Sequence, residues 1–345
     1  MKYTASAPSN IAFIKYWGAL DLERVVPHHP SISMTLEQCR STTTVEFRPG
    51  DEGESVIELR SDDGVLSPAP PAFTTRISAH LERLRSAAGA EGSFRVATHN
   101  SFPAAAGIAS SASGFAALTL STAGALGLPL DADESSRWAR RSGSGSATRS
   151  VLGGYVQWPA PDWTPELSLS GTGDDEASNR AVQLATAEHW PLANCIALVE
   201  TGPKEVSSLQ GHNLTTTSPH FRRRLELMAP RLERCRRAIE GRDLEALIEV
   251  VEEDAVDLHL IAMSSQPPIY YWQPGTLAVM ARVRELRKQG LGAFFTMDAG
   301  ANVHVLCPLD QGAKVSAELA EVPGVHSVIE DRVGDGPRSE AQHLF

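Results

Sequence analysis

The chain has 345 residues, of which 42% are hydrophobic and 21% charged, and its formal net charge is −11. This composition is typical of a soluble globular protein, and the length favours two lobes. The excess of negative charge argues against nucleic acid or an anionic membrane as a partner, and no apolar run is long enough to span a bilayer. Because the N-terminus has no apolar signal region and the four cysteines are widely scattered, we expect a cytoplasmic protein with reduced thiols.

Strands and helices alternate irregularly in the first half of the chain. β-branched and alternating residues predict strands over 3–12, 31–47, 55–60 and 94–98. Helical spacing of apolar residues predicts helices over 75–88 and 115–126. A further helix is predicted over 131–141, with Asp133 as its N-cap.

The second half predicts a similar mixture. Apolar segments predict strands over 190–200, 293–297 and 303–306. Ser218 followed by Pro219 predicts a helix start, and the apolar stripe from Leu225 to Ile239 indicates that this helix faces the core; further helices are predicted over 244–259 and 276–288. Without regular βαβ units, the pattern predicts an α+β fold with mostly antiparallel sheets and packed helices. We expect an N-terminal lobe over 1–175 and a C-terminal lobe over 185–335.

The segment NIAFIKYWG, residues 10–18, places a lysine among apolar and aromatic neighbours. A buried ammonium needs an anion, so Lys15 is predicted either to bind an anionic ligand or to form a salt bridge with a nearby carboxylate.

The segment FPAAAGIASSASG, residues 102–114, is a run of small residues before an apolar helix. Small side chains allow a ligand close to the backbone, and bare N–H groups with hydroxyls can bind phosphate. Ser110, Ser111 and Ser113 are the hydroxyls expected at such a site. The alternative is close packing of a helix on a sheet.

Two further segments carry candidate polar groups. SGSGSATRS, residues 142–150, predicts a flexible turn with Ser144, Ser146 and Arg149, suited to an anionic substrate; the alternative is a linker between lobes. FFTMDAGAN, residues 294–302, places Asp298 after a strand, where it could act as a base on a hydroxyl or simply form a turn.

Together these segments resemble the ATP-dependent decarboxylases of phosphorylated mevalonates, exemplified by the diphosphomevalonate decarboxylase family of the GHMP kinase superfamily. The resemblance covers nearly the whole chain; the segments that carry it are SAPSNIAFIKYWG, GIASSASGFAAL, RSGSGSATRSVLGGYVQW, KEVSS and TMDAGANVHV. It implies a two-lobed GHMP kinase fold, ATP and Mg²⁺ as cofactors, and a homodimer.

The resemblance also implies residue roles. Asp298 would be the essential acidic residue near the C3 hydroxyl, with Lys15 beside it and Arg149 on the substrate carboxylate, oriented by Asn10. The phosphate chain of the substrate would be bound by Tyr16, Ser144, Ser146 and Ser208. ATP would be bound by Gly107, Ala109, Ser110 and Ser111.

One position departs from the family pattern. The family usually has a second lysine after KYWG, where this chain has Ala19, and an Asn-Ser pair where it has His29 and Pro30. Loss of a cation favours 5-phosphomevalonate slightly over the 5-diphosphate as substrate, unless His28 or His29 replaces the charge. A mevalonate 3-kinase without decarboxylation, another kinase of the superfamily and a non-catalytic sensor are the alternative functions.

Overall fold

The computed structural model describes residues 1–103, 110–164, 177–202 and 205–345. The strands are β1 (Lys2–Ile14), β2 (Ala19–Asp21), β3 (Val26–Pro27), β4 (Ser31–Pro49), β5 (Val56–Arg60), β6 (Leu66–Pro68), β7 (Gly92–Asn100), β8 (Tyr155–Trp158), β9 (Val182–Ala185), β10 (Leu192–Leu198), β11 (Phe294–Thr296), β12 (Val303–Pro308), β13 (Ser327–Arg332) and β14 (Arg338–Ser339). The helices are α1 (Pro71–Ala87), α2 (Ser110–Leu126), α3 (Ala132–Arg140), α4 (Ser208–Leu214), α5 (Phe221–Gly241), α6 (Leu244–Met263), α7 (Pro274–Lys288) and α8 (Gly312–Ala320). Short 3-10 helices cover Gly145–Val151, Ala187–His189, Thr215–Thr217 and Leu309–Gln311.

The larger sheet is built around β1 and β4, the two longest strands. Its order is β14-β1-β4-β7-β5-β6, and β8 and β9 continue from β4 on a side branch. β1 runs antiparallel to β4 from the pair Lys2–Glu46 to the pair Ile14–Ile32. Among the described strands of this sheet, only β5 and β7 pair in parallel. The predicted α+β fold with mostly antiparallel sheets is therefore confirmed.

The smaller sheet has the order β11-β12-β10-β13 and is antiparallel throughout. One apolar cluster contains residues from both sheets and from α5, which brings the end of β1 close to β11. The predicted core-facing stripe on α5 is confirmed, because Met228, Leu232, Cys235 and Ile239 are buried in this cluster. No helix among the described residues is long and apolar enough to cross a membrane.

Two helix starts differ from the prediction. The N-cap of α3 is Asp131, not Asp133: its carboxylate accepts from the Glu134 N–H at 2.7 Å, while the Glu134 side chain accepts from the Asp131 N–H. This reciprocal box satisfies two N–H groups, which Asp133 within the first turn cannot do. Likewise α5 begins at Phe221 rather than at Pro219, because the Ser218 hydroxyl caps the N–H of His220 in the preceding turn.

Candidate active site

An ion pair joins the end of β1 to the turn between β11 and β12. Lys15 Nζ lies 2.8 Å from Asp298 Oδ1. The lysine side chain is 2% exposed, whereas that of Asp298 is 30% exposed, so the carboxylate can be reached from solvent. Burial lowers the pKa of Lys15, against the opposing effect of the Asp298 and Asp254 charges. Of the two anions predicted for Lys15, a ligand or a nearby carboxylate, the structure shows a carboxylate of the same chain, Asp298.

The backbone of Lys15 is held by two fully buried, oppositely charged side chains. Its N–H donates to Asp254 Oδ2 at 2.7 Å, and its carbonyl accepts from Arg224 Nη2 at 3.3 Å. Asp254 and Arg224 are themselves paired at 3.0 Å, with both side chains 0% exposed. Although burial alone would raise it, the pKa of Asp254 is lowered, chiefly by Arg224 and Arg231. We call these two contacts to the Lys15 backbone the clamp. The sequence analysis missed it, because Asp254 and Arg224 lie in segments whose residue pattern predicts ordinary amphipathic helices.

Arg149 is a buried guanidinium without a carboxylate partner among the described residues. Its Nε donates to Ser33 at 3.0 Å, Nη1 to Ser31 at 2.5 Å and Nη2 to Asn10 Oδ1 at 3.2 Å. Since a guanidinium has five N–H groups, one remains on each terminal nitrogen. Burial lowers the pKa of Arg149 to about 10, against the opposing effect of Asp298 and Tyr16, so the group is charged at neutral pH. The two remaining N–H groups suit a planar anion such as a carboxylate.

The segment predicted as a flexible turn is a buried 3-10 helix over Gly145–Val151. Asn10 holds it to β1, donating to the carbonyl of Ser146 at 3.1 Å and to the Ser150 hydroxyl at 2.8 Å. Gly145 packs so closely on Tyr16 that a Cβ atom there would lie 2.6 Å from the ring. Glycine is thus needed at position 145 for close approach rather than for flexibility.

This packing brings three of the predicted substrate residues together. The hydroxyls of Ser144 and Ser146 lie 3.3 Å apart, on the two sides of Gly145, which contacts Tyr16. Tyr16 packs edge-on against Trp158, with ring centroids 5.1 Å apart. Burial raises the pKa of Tyr16, so its hydroxyl is neutral. The result is a group of neutral hydroxyls beside the Lys15 segment.

Ser208 lies apart from the other two serines. It is exposed in the first turn of α4, after the N-cap Ser207, and has no hydrogen bond to Ser144 or Ser146. The helix is attached beside Tyr16 through His212, whose Nδ1 accepts from the Gly18 N–H at 3.0 Å. The His212 ring lies 4.4 Å from that of Tyr16 and 4.9 Å from that of Trp17, measured between centroids. Sequence reasoning did not identify His212.

Of the predicted phosphate loop over 102–114, the structure describes residues 102, 103 and 110–114. Gly107 and Ala109 lie outside the described residues, and Ser110 and Ser111 are the first residues of α2. Both line a cavity with Thr43, Phe73, Ile77, Val96, Thr98, Gly114, Phe115 and Leu118. Ser113 faces the sheet instead, bonded to the Ser41 hydroxyl at 2.7 Å, so it serves helix packing rather than ligand binding.

The oxygen donors of the site fit a magnesium ion that enters with a nucleotide. The described residues contain no cluster of three or more His, Cys, Asp or Glu side chains that could hold a metal. Mg²⁺ typically keeps several waters and binds through one or two carboxylates and substrate phosphates. Asp298 is a carboxylate of this kind, and the hydroxyls of Ser110 and Ser111 at the start of α2 are further oxygen donors in the chain.

The two histidines after β3 lie in surroundings that disfavour a positive charge. Burial lowers the pKa of His29 to about 4, helped by the charge of Arg224, and its Nδ1 donates to the Pro30 carbonyl at 2.8 Å. Burial also lowers the pKa of His28. Burial therefore disfavours a charged ring at both positions, and the alternative that His28 or His29 supplies the lost cation when the substrate binds stays a prediction.

Both halves of the chain match models of known protein families. Residues 7–164 match the diphosphomevalonate decarboxylase-like N-terminal domain, and residues 194–341 match the mevalonate 5-diphosphate decarboxylase C-terminal domain. The diphosphomevalonate decarboxylase of Candida albicans is 33% identical, with 99% of each chain covered. The phosphomevalonate decarboxylase of Haloferax volcanii is also 33% identical, with 93% of each chain covered.

Solved structures lead to the same family. The structure of MDDEF in complex with MVAPP, AMPPCP and magnesium superposes with a TM-score of 0.86 at 34% identity, covering 99% of each chain. The family models, the related sequences and the solved structure all indicate the same family over almost the whole length of the chain. The chain belongs to the diphosphomevalonate decarboxylase family.

Proposed function

We propose that this protein catalyses the ATP-dependent decarboxylation of a 5-phosphorylated mevalonate, a step of isoprenoid biosynthesis, with 5-phosphomevalonate preferred over the 5-diphosphate. The observation that carries the proposal is the Lys15–Asp298 pair, in which a solvent-reachable carboxylate lies 2.8 Å from a buried ammonium. Relatives named for each substrate support the reaction class.

Asp298 acts as the base. It accepts the proton of the C3 hydroxyl as the oxygen attacks the γ-phosphorus of ATP, and ADP leaves with the electrons of the broken P–O bond. Lys15 stabilises the negative charge of the transferring phosphoryl group. Its backbone clamp by Asp254 and Arg224 supports this role, because it fixes where the side chain begins.

Arg149 holds the carboxylate that will leave as CO2. When the C3–O bond breaks, phosphate departs with its electrons; the C1–C2 bonding pair then forms the C2=C3 double bond, and CO2 is released. This sequence needs the carboxylate fixed relative to C3, and the two remaining N–H groups of Arg149 provide a bidentate contact. The product is isopentenyl phosphate, or the diphosphate from the larger substrate.

The substrate phosphate site is formed by Tyr16, Ser144, Ser146 and Ser208. The first three contribute neutral donors, and Ala19 adds no charge at the position where the family usually has lysine. A site built from neutral donors, with Lys15 and Arg149 as the nearby cations, suits a monophosphate because its negative charge is smaller than that of a diphosphate. Loss of a charge-assisted hydrogen bond weakens binding by roughly 1.5–3 kcal/mol. The diphosphate is weakened more than the monophosphate, because its second phosphate is the group that the missing lysine would contact.

ATP binds at the start of α2, with Ser110 and Ser111 facing its phosphates; the family resemblance assigns Gly107 and Ala109 to the same ligand. Magnesium, when bound with ATP, neutralises phosphate charge. We also propose that the enzyme works as a homodimer in the cytoplasm. Four free, buried cysteines support a reducing compartment. The division into lobes at 1–175 and 185–335 stays a prediction.

The deciding assay presents mevalonate, its 5-phosphate and its 5-diphosphate side by side with ATP and Mg²⁺, and follows ADP and CO2. We expect both products in equal amounts, most efficiently from the 5-phosphate. ADP without CO2 would favour a 3-kinase, and no turnover of ATP with any of the three would favour a sensor. Light scattering after size exclusion tests the homodimer.

A further inference from the structure

His212 faces the same side of α4 as Ser208. The two residues are four apart in a helix that covers Ser208–Leu214, and residues at this spacing are neighbours on a helix surface. His212 is half-buried, between the exposed Ser208 and the aromatic rings of Tyr16 and Trp17. His212 therefore contacts one residue assigned to the substrate phosphate, Tyr16, and neighbours another, Ser208, on the helix surface.

The tautomer of His212 follows from its contact with the backbone. Nδ1 accepts the N–H of Gly18 at 3.0 Å, so the proton of the neutral ring is on Nε2. Burial lowers the pKa of His212 to about 4, which keeps the ring neutral near pH 7. Nε2 has no hydrogen-bond partner within the described ranges. The ring thus presents one unused donor.

The direction of that donor is fixed by packing. The ring is held between Tyr16 at 4.4 Å and Trp17 at 4.9 Å, and Gly18 has φ +86°, so its N–H is presented from a tight turn. A Cβ atom at Gly18 would lie 2.7 Å from the Phe221 ring, which closes the other side of this turn. Rotation of the ring would break the Gly18 bond, so the Nε2–H edge keeps the position that the Gly18 contact and the packing on Tyr16 and Trp17 give it.

We propose that His212 donates a hydrogen bond from Nε2 to the 5-phosphate of the substrate and is a specificity-determining residue of the phosphate site. This inference rests on the proposed function. The contact adds a donor without adding charge, in keeping with the hydroxyls of Tyr16, Ser144 and Ser146. It also links the strand segment that carries Lys15 to the helix that carries Ser208 at the moment the phosphate binds.

Two matched variants separate the donor from the packing contact. In His212→Asn, the side-chain oxygen can still accept the Gly18 N–H, but the side chain ends short of the Nε2 position. In His212→Gln, an amide N–H reaches that position. We expect His212→Asn to raise KM for 5-phosphomevalonate about 10- to 100-fold, as for loss of a hydrogen bond to a charged group, with KM for ATP unchanged. His212→Gln should recover most of this loss.

The substrate series shows whether the effect belongs to the phosphate. Unphosphorylated mevalonate should react equally slowly with the wild-type protein and with His212→Asn. A normal KM in His212→Asn, or an equal loss on mevalonate itself, would overturn the phosphate contact. If the wild-type protein releases no CO2 at all, the proposed function fails. The role of His212 can then still be tested by calorimetric binding of 5-phosphomevalonate to the same variants. Weaker binding in His212→Asn would support the contact, and unchanged binding would contradict it.

Discussion

Lys15 and Asp298 are 283 residues apart in the chain, and their side chains meet at 2.8 Å. The residue that follows the first strand supplies the buried ammonium, and the turn after β11 supplies the partly exposed carboxylate. Their meeting depends on the shared apolar core that holds the end of β1 against β11. The reactive pair is thus assembled only when both sheets are in place.

Replacing Asp298 by Asn should remove decarboxylation and leave folding intact. The amide is isosteric but cannot accept the hydroxyl proton, and loss of a general base typically costs 10²–10⁴-fold in rate. The amide oxygen can still accept a hydrogen bond from Lys15 Nζ, but the buried ammonium loses its opposing charge, so we expect a lower melting temperature in a protein that still folds. Single-turnover release of ADP and CO2 measures the effect, and the melting temperature and nucleotide affinity serve as controls. Near-normal turnover would remove Asp298 from the mechanism.

Arg149→Lys tests the carboxylate contact. Lysine keeps the charge but cannot bond Ser31, Ser33 and Asn10 and still present two parallel N–H groups. We expect kcat/KM for the phosphorylated mevalonate to fall at least about 100-fold, while KM for ATP stays within about twofold. A variant impaired mainly in ATP binding would show that Arg149 holds the nucleotide instead.

Much of the fold could be predicted because it depends on local patterns. The β-branched run over 31–47 is β4, and the stripe on α5 faces the core. The site was harder, since its contacts are long-range. Lys15 could be seen to need an anion, but nothing near it in the sequence identifies Asp298 as that anion.

The errors have physical causes. Gly and Ser in SGSGSATRS predicted flexibility, yet close packing of Gly145 on Tyr16 makes the segment a buried 3-10 helix. Asp254 and Arg224 were missed because the sequence pattern of α5 and α6 does not show that two charged residues of these helices are buried against each other. His212 was missed because its neighbours Tyr16 and Trp17 come from a distant segment.

Lys15→Met should abolish activity without loss of stability. Burial lowers the pKa of Lys15 below 10.5, so the folded state holds this charge at a net cost at neutral pH. Replacing a whole buried ion pair by apolar side chains is often neutral or stabilising by about 1–4 kcal/mol, and removing one partner is costly only where the remaining charge stays buried. Asp298 keeps its contact with water. Urea unfolding at pH 7 checks this, with the exposed Lys314→Met as the control.

The pH dependence of this effect has a definite sign. Between the lowered pKa of folded Lys15 and its ordinary value of 10.5, the unfolded chain binds more protons, so wild-type stability from this group rises with pH. The advantage of Lys15→Met is therefore largest below the folded pKa and shrinks in alkaline buffer. An advantage that grows with pH would contradict the assigned direction of the pKa.

Asp254→Asn should destabilise the fold and impair catalysis together. It leaves Arg224 and Arg231 without their buried anion, a change that typically costs about 3–5 kcal/mol. Asp257→Asn is the matched control: Asp257 pairs with the same two arginines, but its side chain is 16% exposed and it does not touch Lys15. We expect Asp257→Asn to lose less stability and keep kcat. Equal effects of the two variants on kcat would mean that the Lys15 clamp is only a structural contact.

Ala19→Lys tests why the monophosphate is preferred. Ala19 follows the Gly18 turn at the start of β2 and is half-buried, and burial lowers the pKa values of the neighbouring His28 and His29. A lysine here returns the residue that the family usually has and places an ammonium near the end of the phosphate chain. A contact worth about 1.4 kcal/mol shifts the ratio of kcat/KM for the 5-diphosphate over the 5-phosphate roughly tenfold. Ala19→Met, similar in length but uncharged, controls for bulk and should leave the ratio unchanged. A wild-type protein that already strongly prefers the diphosphate would defeat the monophosphate preference, because the described site then binds the second phosphate without the missing cation.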